Sequence, residues 1–230
     1  MTEGWNLIDA EAGVLWRQYA FRKGALATSL VFRGTDGLVV VSPGPGMTSA
    51  DYDALSEYGE VRALIANNTL HHLGQRAWRE RFKDAVSYCP PGAVDKLNSK
   101  VEGFTFRPLS ELELPASVTW EDPPGFKTGE TILSVATSQG SVWYTSDLLV
   151  NITKLPPPPA KWLFTWTDSA PGFRLFRLAV WLMVSDKQKL KEWALGRVAK
   201  YPPAVIVPAH GAAFKAPDLP AQVKAQLDRI

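Results

Sequence analysis

The sequence predicts a layered α/β fold, for which an αββα sandwich is one arrangement that buries the apolar faces. Three observations carry that expectation. Short apolar runs alternate with helical patterns up to Gly92, a series of strand-length segments follows to Thr145, and helix and strand then return. No linker divides these blocks, so residues 1–230 are expected to form one domain.

Each element has a local reason. Val14–Ala20 and Ala25–Phe32, parted by Arg22-Lys23-Gly24, read as a hairpin. Asp36-Gly37 is a turn signal, and Leu38–Val41 is apolar on both faces, as suits a strand covered on both sides. Ser42-Pro43-Gly44-Pro45-Gly46 breaks that strand. Thr48 or Ser49 can then cap a helix reaching Tyr58, with Asp51 and Asp53 favoured near its N-terminus. Val61–Ala66 is the next strand, His71–Phe82 the next helix, and Ala85–Cys89 a strand stopped by Pro90-Pro91-Gly92. Strands are expected at 103–106, 117–121, 131–136 and 141–145, the last two joined by Ser138-Gln139-Gly140. Pro156–Pro159 should be extended. Helices are expected over 173–184 and 186–200, the second capped by Ser185 or Asp186, followed by a strand at 204–207 and a helix at 217–229.

Composition narrows the function classes. Apolar residues make up 46% and charged residues 21%, values of an ordinary globular chain, which excludes coiled-coil, collagen-like and disordered classes. The 25 basic and 23 acidic residues nearly cancel, so no nucleic-acid footprint is expected. The longest apolar run, Leu178–Val184, is far too short for a bilayer span, and residues 1–6 lack the pattern of a signal peptide. A cytoplasmic location is therefore expected. With a single cysteine, Cys89, an intrachain disulfide is impossible, and that thiol is expected to be a packing residue.

Histidine is scarce, and its placement is informative. His71 and His72 follow an apolar strand, His210 follows Val205-Ile206-Val207-Pro208-Ala209, and Asp147 follows Val142–Ser146. Ends of strands are where open α/β sheets gather their sites. Imidazole nitrogen and carboxylate oxygen are the usual donors for zinc and other borderline divalent ions. Adjacent helical residues point about 100° apart, so a joint role requires His71 to lie outside the helix.

The order strand, Ser-Pro-Gly-Pro-Gly, helix, strand, then Asn67-x-x-x-His71-His72-Leu73-Gly74 resembles the core of the metallo-β-lactamase superfamily. The resemblance runs from about Gly13 to Gly211 and looks closest to a bacterial branch with a degenerate metal-binding motif. In that family a strand ends in H-x-H-x-D-H-x-G, a later strand ends in a metal-bridging aspartate, and a final histidine follows the last strand. The resemblance puts Asn67 and Thr69 on the first two motif histidines, His71 on the motif aspartate and His72 on the last motif histidine. It puts Asp147 on the bridging aspartate, His210 on the final histidine, and Phe126 on the family's middle histidine. One metal site thus loses all its imidazoles, while the other retains His71, His72, Asp147 and His210.

The resemblance implies a four-layer αββα metallo-β-lactamase-like sandwich and a metal-dependent hydrolase with one divalent ion, zinc ahead of iron. Its ligands would be His71, His72, Asp147 and His210. Asp147, as ligand or water-orienting acid, and His71, in place of the family's carboxylate, would stand at the chemistry. Four protein ligands would make a closed site, whereas catalysis needs an open position. Turnover of β-lactams is expected to be absent or weak, and the small-molecule substrate is unread. The alternative is a binding or scaffold protein that keeps the fold after its metal chemistry has decayed.

Two further features of the sequence have plainer roles. The Ser42–Gly46 loop lacks the lysine and spacing of a phosphate cradle, so a strand-to-helix turn is expected. Residues 161–200 form a helical insertion with an aromatic start that could act as a lid or lie on a membrane surface. The plainer expectation is a packed helix, with Arg174, Arg177 and Trp181 on one face and Phe173, Phe176, Val180 and Met183 buried.

Overall fold

The computed structural model describes residues 4–22 and 24–230. Lys23, in the expected first hairpin turn, lies outside the described residues.

The first half builds a seven-stranded sheet in sequence order. Its strands and helices are β1 (Asn6–Asp9), β2 (Val14–Arg22), β3 (Ala25–Arg33), β4 (Leu38–Val41), α1 (Ser49–Asp53), β5 (Val61–Ile65), α2 (Gln75–Arg81), β6 (Val86–Cys89), α3 (Val94–Asn98) and β7 (Phe106–Pro108). β1 to β4 pair antiparallel, and β4 to β7 pair parallel. The second half contributes β8 (Val118–Glu121), β9 (Ile132–Thr137), β10 (Gly140–Tyr144), β11 (Leu149–Ile152), α4 (Ala160–Trp166), β12 (Gly172–Leu175), α5 (Arg177–Met183), α6 (Lys187–Lys200), β13 (Pro203–Val207) and α7 (Leu219–Leu227). Its sheet has the order β13-β10-β9-β8, with β13 parallel to β10, and β11 and β12 form a separate antiparallel pair.

The alternation of side chains along the strands makes the layers. Leu30, Phe32, Val39, Val41 and Ile65 of the first sheet meet Leu133, Val135, Val142, Tyr144 and Val207 of the second in one buried core. Leu38, Val40 and Leu64 face the other way, onto Leu55 and Trp78. Trp143 and Ile206 face Leu190, Ala194 and Val198 of α6 and Val223 and Leu227 of α7. The outcome is helix, sheet, sheet, helix. Cys89 is buried among Ala66, Ala93, Leu97 and Phe106 as a packing residue.

Caps behave as their residue types dictate. Thr48 Oγ1 accepts from the Asp51 amide, while Asp51 Oδ2 accepts from the Thr48 amide at 2.8 Å. Asp186 Oδ1 caps α6 through the Lys189 amide at 3.0 Å.

Several expectations shift. The helix expected from His71 starts at Gln75, leaving both histidines in the preceding turn. The strand expected at 103–106 forms instead at Phe106–Pro108, where it can pair with β6. The helix expected over 173–184 is two elements, because β11 captures residues 172–175 through pairs such as Leu149 with Leu175. Gly172, at φ 87°, turns the chain into that strand in a conformation only glycine tolerates readily. Arg174 therefore sits on β12 and shares no helical face with Arg177 and Trp181, and Phe173 stacks on Phe214 at 4.4 Å. α3, β1 and β11 have no counterpart in the sequence expectation, and α4 falls at the start of the helical insertion expected over 161–200.

Two predictions follow from this packing. Trp78 is fully buried, donates its Nε1 hydrogen to the Gly44 carbonyl at 2.9 Å and meets Tyr52 edge-on at 5.0 Å. Trp78→Ala should cost about 3–5 kcal/mol in denaturant unfolding, whereas exposed Trp181→Ala should stay within about 0.5 kcal/mol.

Asp9 ties the two sheets together, accepting from the Ala12 amide at 2.8 Å and from the Ser138 hydroxyl at 2.6 Å. Those donors hold its carboxyl below the usual carboxylate range. Its stabilising effect is present above about pH 4, the unfolded value, and is lost as pH falls through the lower folded value. Asp9→Asn should cost about 1 kcal/mol at neutral pH. In unfolding curves measured down the acid range, its gap from the unmodified protein should narrow.

Candidate metal centre

The site forms where parallel strands end. Ser42 follows β4, Asn67 and Asn68 follow β5, Asp147 follows β10 and His210 follows β13. Backbone bonds fix these loops: the Ser42 amide donates to the Ile65 carbonyl at 2.8 Å, and the Ala209 amide to the Ser146 carbonyl at 3.1 Å. The Thr28 amide donates to the Ala209 carbonyl at 2.8 Å, and the Thr28 hydroxyl to the Gly211 carbonyl at 2.7 Å. The His210 turn is thereby stitched to both sheets.

Three of the sequence-derived donors converge. One ligand atom from each of His71, Asp147 and His210 can be chosen so that all lie within 4.8 Å of one another. Asp147 Oδ1 is 3.2 Å from His210 Nε2 and 3.5 Å from His71 Nε2. The two rings stand 5.4 Å apart at 57°. His72 lies outside this group. Its Nδ1 is buried without a hydrogen-bond partner, and burial, with Lys100 and His71 nearby, lowers its pKa.

Each member of the trio is held from behind. His210 Nδ1 is 3.0 Å from the Leu26 carbonyl, which can only accept, so that nitrogen carries the proton. His71 Nδ1 is 2.9 Å from Ser42 Oγ, which is itself 2.9 Å from the Tyr19 hydroxyl. Burial pushes the Tyr19 phenol up to about 12, so it stays protonated. The Asn68 amide donates to Asp147 Oδ2 at 3.0 Å and to Glu130 at 3.0 and 3.2 Å. Its carbonyl accepts from the Leu70 and His71 amides at 2.8 and 3.0 Å. One side chain thus orients both the carboxylate and the histidine turn.

Burial raises the pKa of Asp147, but the His71 and His210 imidazoles more than offset it and hold the carboxyl well below the usual range. Asp147 Oδ1 nevertheless has no well-formed hydrogen bond. Glu130 is the opposite case. Burial and the Asp147 charge push its carboxyl well above the ordinary value, against the hydrogen bonds of Ser146, Asn68 and Asn67. Ser42 and Ser146 both adopt positive φ, 52° and 49°, a strained state for residues with a side chain.

Asn67 donates to Ser146 and Glu130, Thr69 Oγ1 is buried without a partner, and Phe126 packs with the apolar residues around Val184. Asn67 Oδ1, like the Thr69 hydroxyl, is buried without a hydrogen-bond partner.

The sequence reading missed Tyr19, Glu130, Ser146 and the orienting role of Asn68. The available signals were two amides directly after an apolar strand and an acid at the start of the Thr131–Ala136 run. Asn and Glu are ordinary loop residues, however, and nothing local marks them as buried. Ser42, expected only as a turn residue, is a direct partner of His71.

No family model matches the chain, and comparison with curated proteins found no match. Solved structures do match. The metallo-β-lactamase DIM-1 is 11% identical, with a TM-score of 0.61 over 98% of this chain and 96% of that one. FIM-1 from Pseudomonas aeruginosa, in its mono-zinc form, is 12% identical with a TM-score of 0.61 over 98% and 94%. The metal-soaked Flv1 flavodiiron core from Synechocystis is 13% identical with a TM-score of 0.63 over 97% of this chain and 60% of that one. At such identities the likeness is one of architecture, and it establishes that the chain has the metallo-β-lactamase fold.

Proposed function

We propose that the chain is a metal-dependent hydrolase acting through one divalent ion, zinc ahead of iron, held by His71, Asp147 and His210. The observation that carries this reading is the approach of two imidazole Nε2 atoms to one carboxylate oxygen, Asp147 Oδ1, that has no well-formed hydrogen bond. Two neutral imidazoles and a carboxylate are a donor set that such ions accept. The metallo-β-lactamase FIM-1 in its mono-zinc form and the metal-soaked Flv1 core, which share the fold, lend support. With His72 outside the trio, three protein ligands fit an open catalytic site better than a closed structural one.

Bound there, such an ion supplies a Lewis acid that polarises a carbonyl or phosphoryl oxygen and lowers the pKa of water towards about 7. The chain's own residues prepare the donors. The Leu26 carbonyl fixes the His210 proton on Nδ1, which leaves the Nε2 lone pair on the side of Asp147. Ser42 can accept the His71 Nδ1 proton while passing its own to Tyr19, leaving His71 Nε2 free as well. Asn68 holds Asp147 Oδ2, so that Oδ1 is the oxygen turned to both rings. Leu26, Leu70 and Leu73, all exposed and close in sequence or contact to these groups, provide an apolar rim.

Elemental analysis and equilibrium dialysis against zinc test the reading. One equivalent should bind. His210→Ala or Asp147→Asn should weaken it by more than about 100-fold, and Asn68→Ala or Ser42→Ala by about 10–100-fold, the range of outer-shell partners. His72→Ala should leave affinity at the unmodified level, and a chromogenic β-lactam should be turned over weakly or not at all. Absence of stoichiometric metal, or zinc binding indifferent to His210→Ala, would sink the hydrolase reading in favour of a scaffold that has kept only the fold.

A further inference from the structure

α4 is unusual for a helix of a globular chain because none of its residues is buried. Phe164 holds it to the body, meeting Phe176 at 5.6 Å edge-on. Its tryptophans turn away, Trp162 67% and Trp166 82% exposed, and on α5 Trp181 is 63% and Leu182 53% exposed. Trp166 and Trp181 line one cleft of about 370 Å³ together with Arg177, Lys187 and Arg229. Single exposed apolar residues are ordinary, but protruding indoles gathered on neighbouring helices mark an interaction surface.

Charge indicates what covers it. From Lys154 to Lys187 the chain carries five cations, Lys154, Lys161, Arg174, Arg177 and Lys187, against two acids, Asp168 and Asp186. Arg174 and Arg229 both pair with Asp168, and Lys189 with Asp186. A second copy docking through a two-fold axis would set this basic patch against itself, like charge on like. Trp162 and Leu182 stand exposed outside the cleft that Trp166 and Trp181 line, so the apolar surface spreads beyond a groove fitted to one anchor. Indole rings at headgroup depth, with lysine and arginine set against lipid phosphates, match the requirements of an anionic bilayer surface. Among the described residues no helix is long and apolar enough to cross a membrane, so such contact is made from one side.

We propose that α4 and α5 dock the protein on an anionic phospholipid surface. Trp162, Trp166, Trp181 and Leu182 enter the headgroup region, and Lys161, Arg177 and Lys187 face the lipid phosphates. The docked face adjoins the donor trio, because the Phe176 ring that anchors α4 also lies 6.0 Å from the His210 ring.

Flotation of the full chain with phosphatidylcholine vesicles, with and without phosphatidylserine, tests this. The protein should float with the serine-containing vesicles and weakly or not at all with the neutral ones. Added salt should weaken the interaction. Lys161→Gln and Arg177→Gln should each lower partitioning by about fivefold. The triple variant Trp162→Ala, Trp166→Ala, Trp181→Ala should abolish flotation while keeping the melting temperature and the zinc stoichiometry of the unmodified protein. No flotation, equal flotation on neutral vesicles, or flotation unaffected by the triple variant would each overturn the proposal. So would a soluble dimer that the triple variant dissolves, or binding to an acidic protein without binding to vesicles.

Discussion

A buried carboxylate with too few donors is the constraint around which this molecule is arranged. Asp147 is 2% exposed, and a charge so placed is costly unless opposite charge or hydrogen bonds surround it. Its two oxygens are treated differently. Oδ2 receives the Asn68 amide, while Oδ1 faces two imidazole Nε2 atoms at 3.2 and 3.5 Å without a well-formed hydrogen bond. The nearby Glu130 carboxyl cannot ionise alongside it at little cost, and its pKa is displaced upward accordingly. Two acids in one buried space are thus driven apart, the Asp147 pKa held down by the imidazoles and that of Glu130 pushed up by burial and the Asp147 charge. Asn68, which touches both, keeps them distinct.

That arrangement depends on topology more than on local sequence. Asn68, Asp147 and His210 come from three distant stretches of chain, and they meet because β5, β10 and β13 end at the same rim. The parallel pairings of β4 with β5 and of β10 with β13 bring consecutive strand ends to one side in each sheet. The core between the sheets then fixes their separation. A side chain such as Tyr144, buried in that core and donating to the Thr28 carbonyl at 3.0 Å, links packing of the sheets directly to the loop that carries His210.

This explains what could be read from sequence and what could not. Strands such as Leu38–Val41 and Val61–Ile65 announce themselves by apolar runs between Gly and Pro breaks, and the Asp186 cap by its position before a helical pattern. His71, Asp147 and His210 were legible because histidine is rare here and each residue follows a strand. Contacts that need a partner from far away were not. β12 looks like the start of a helix until β11 pairs with it, and it interrupts the helical insertion expected over 161–200 between α4 and α5. Glu130 resembles any loop acid until folding places Asn67, Asn68 and Ser146 around it. His72, which the resemblance puts on the last motif histidine, lies outside the group of His71, Asp147 and His210. Because the helix begins only at Gln75, the turn before it aims just one of the two rings at Asp147.

The residues standing where the family resemblance expects a second ion's ligands are Asn67, Thr69 and Phe126, and of these Asn67 enters the hydrogen bonds around Glu130 while the Thr69 hydroxyl is buried without a partner. Asn67 and Ser146 face Glu130, and Phe126 adds its ring to the core beside Val184. The Asn67 amide and the Ser146 hydroxyl both donate to the Glu130 carboxyl. The network therefore closes one half of the rim, supports Asn68, and through it aims Asp147 at the two imidazoles. On the other side the Phe21 and Phe176 rings stand 5.7 and 6.0 Å from the His210 ring, beside the exposed Leu26 whose carbonyl holds His210 Nδ1.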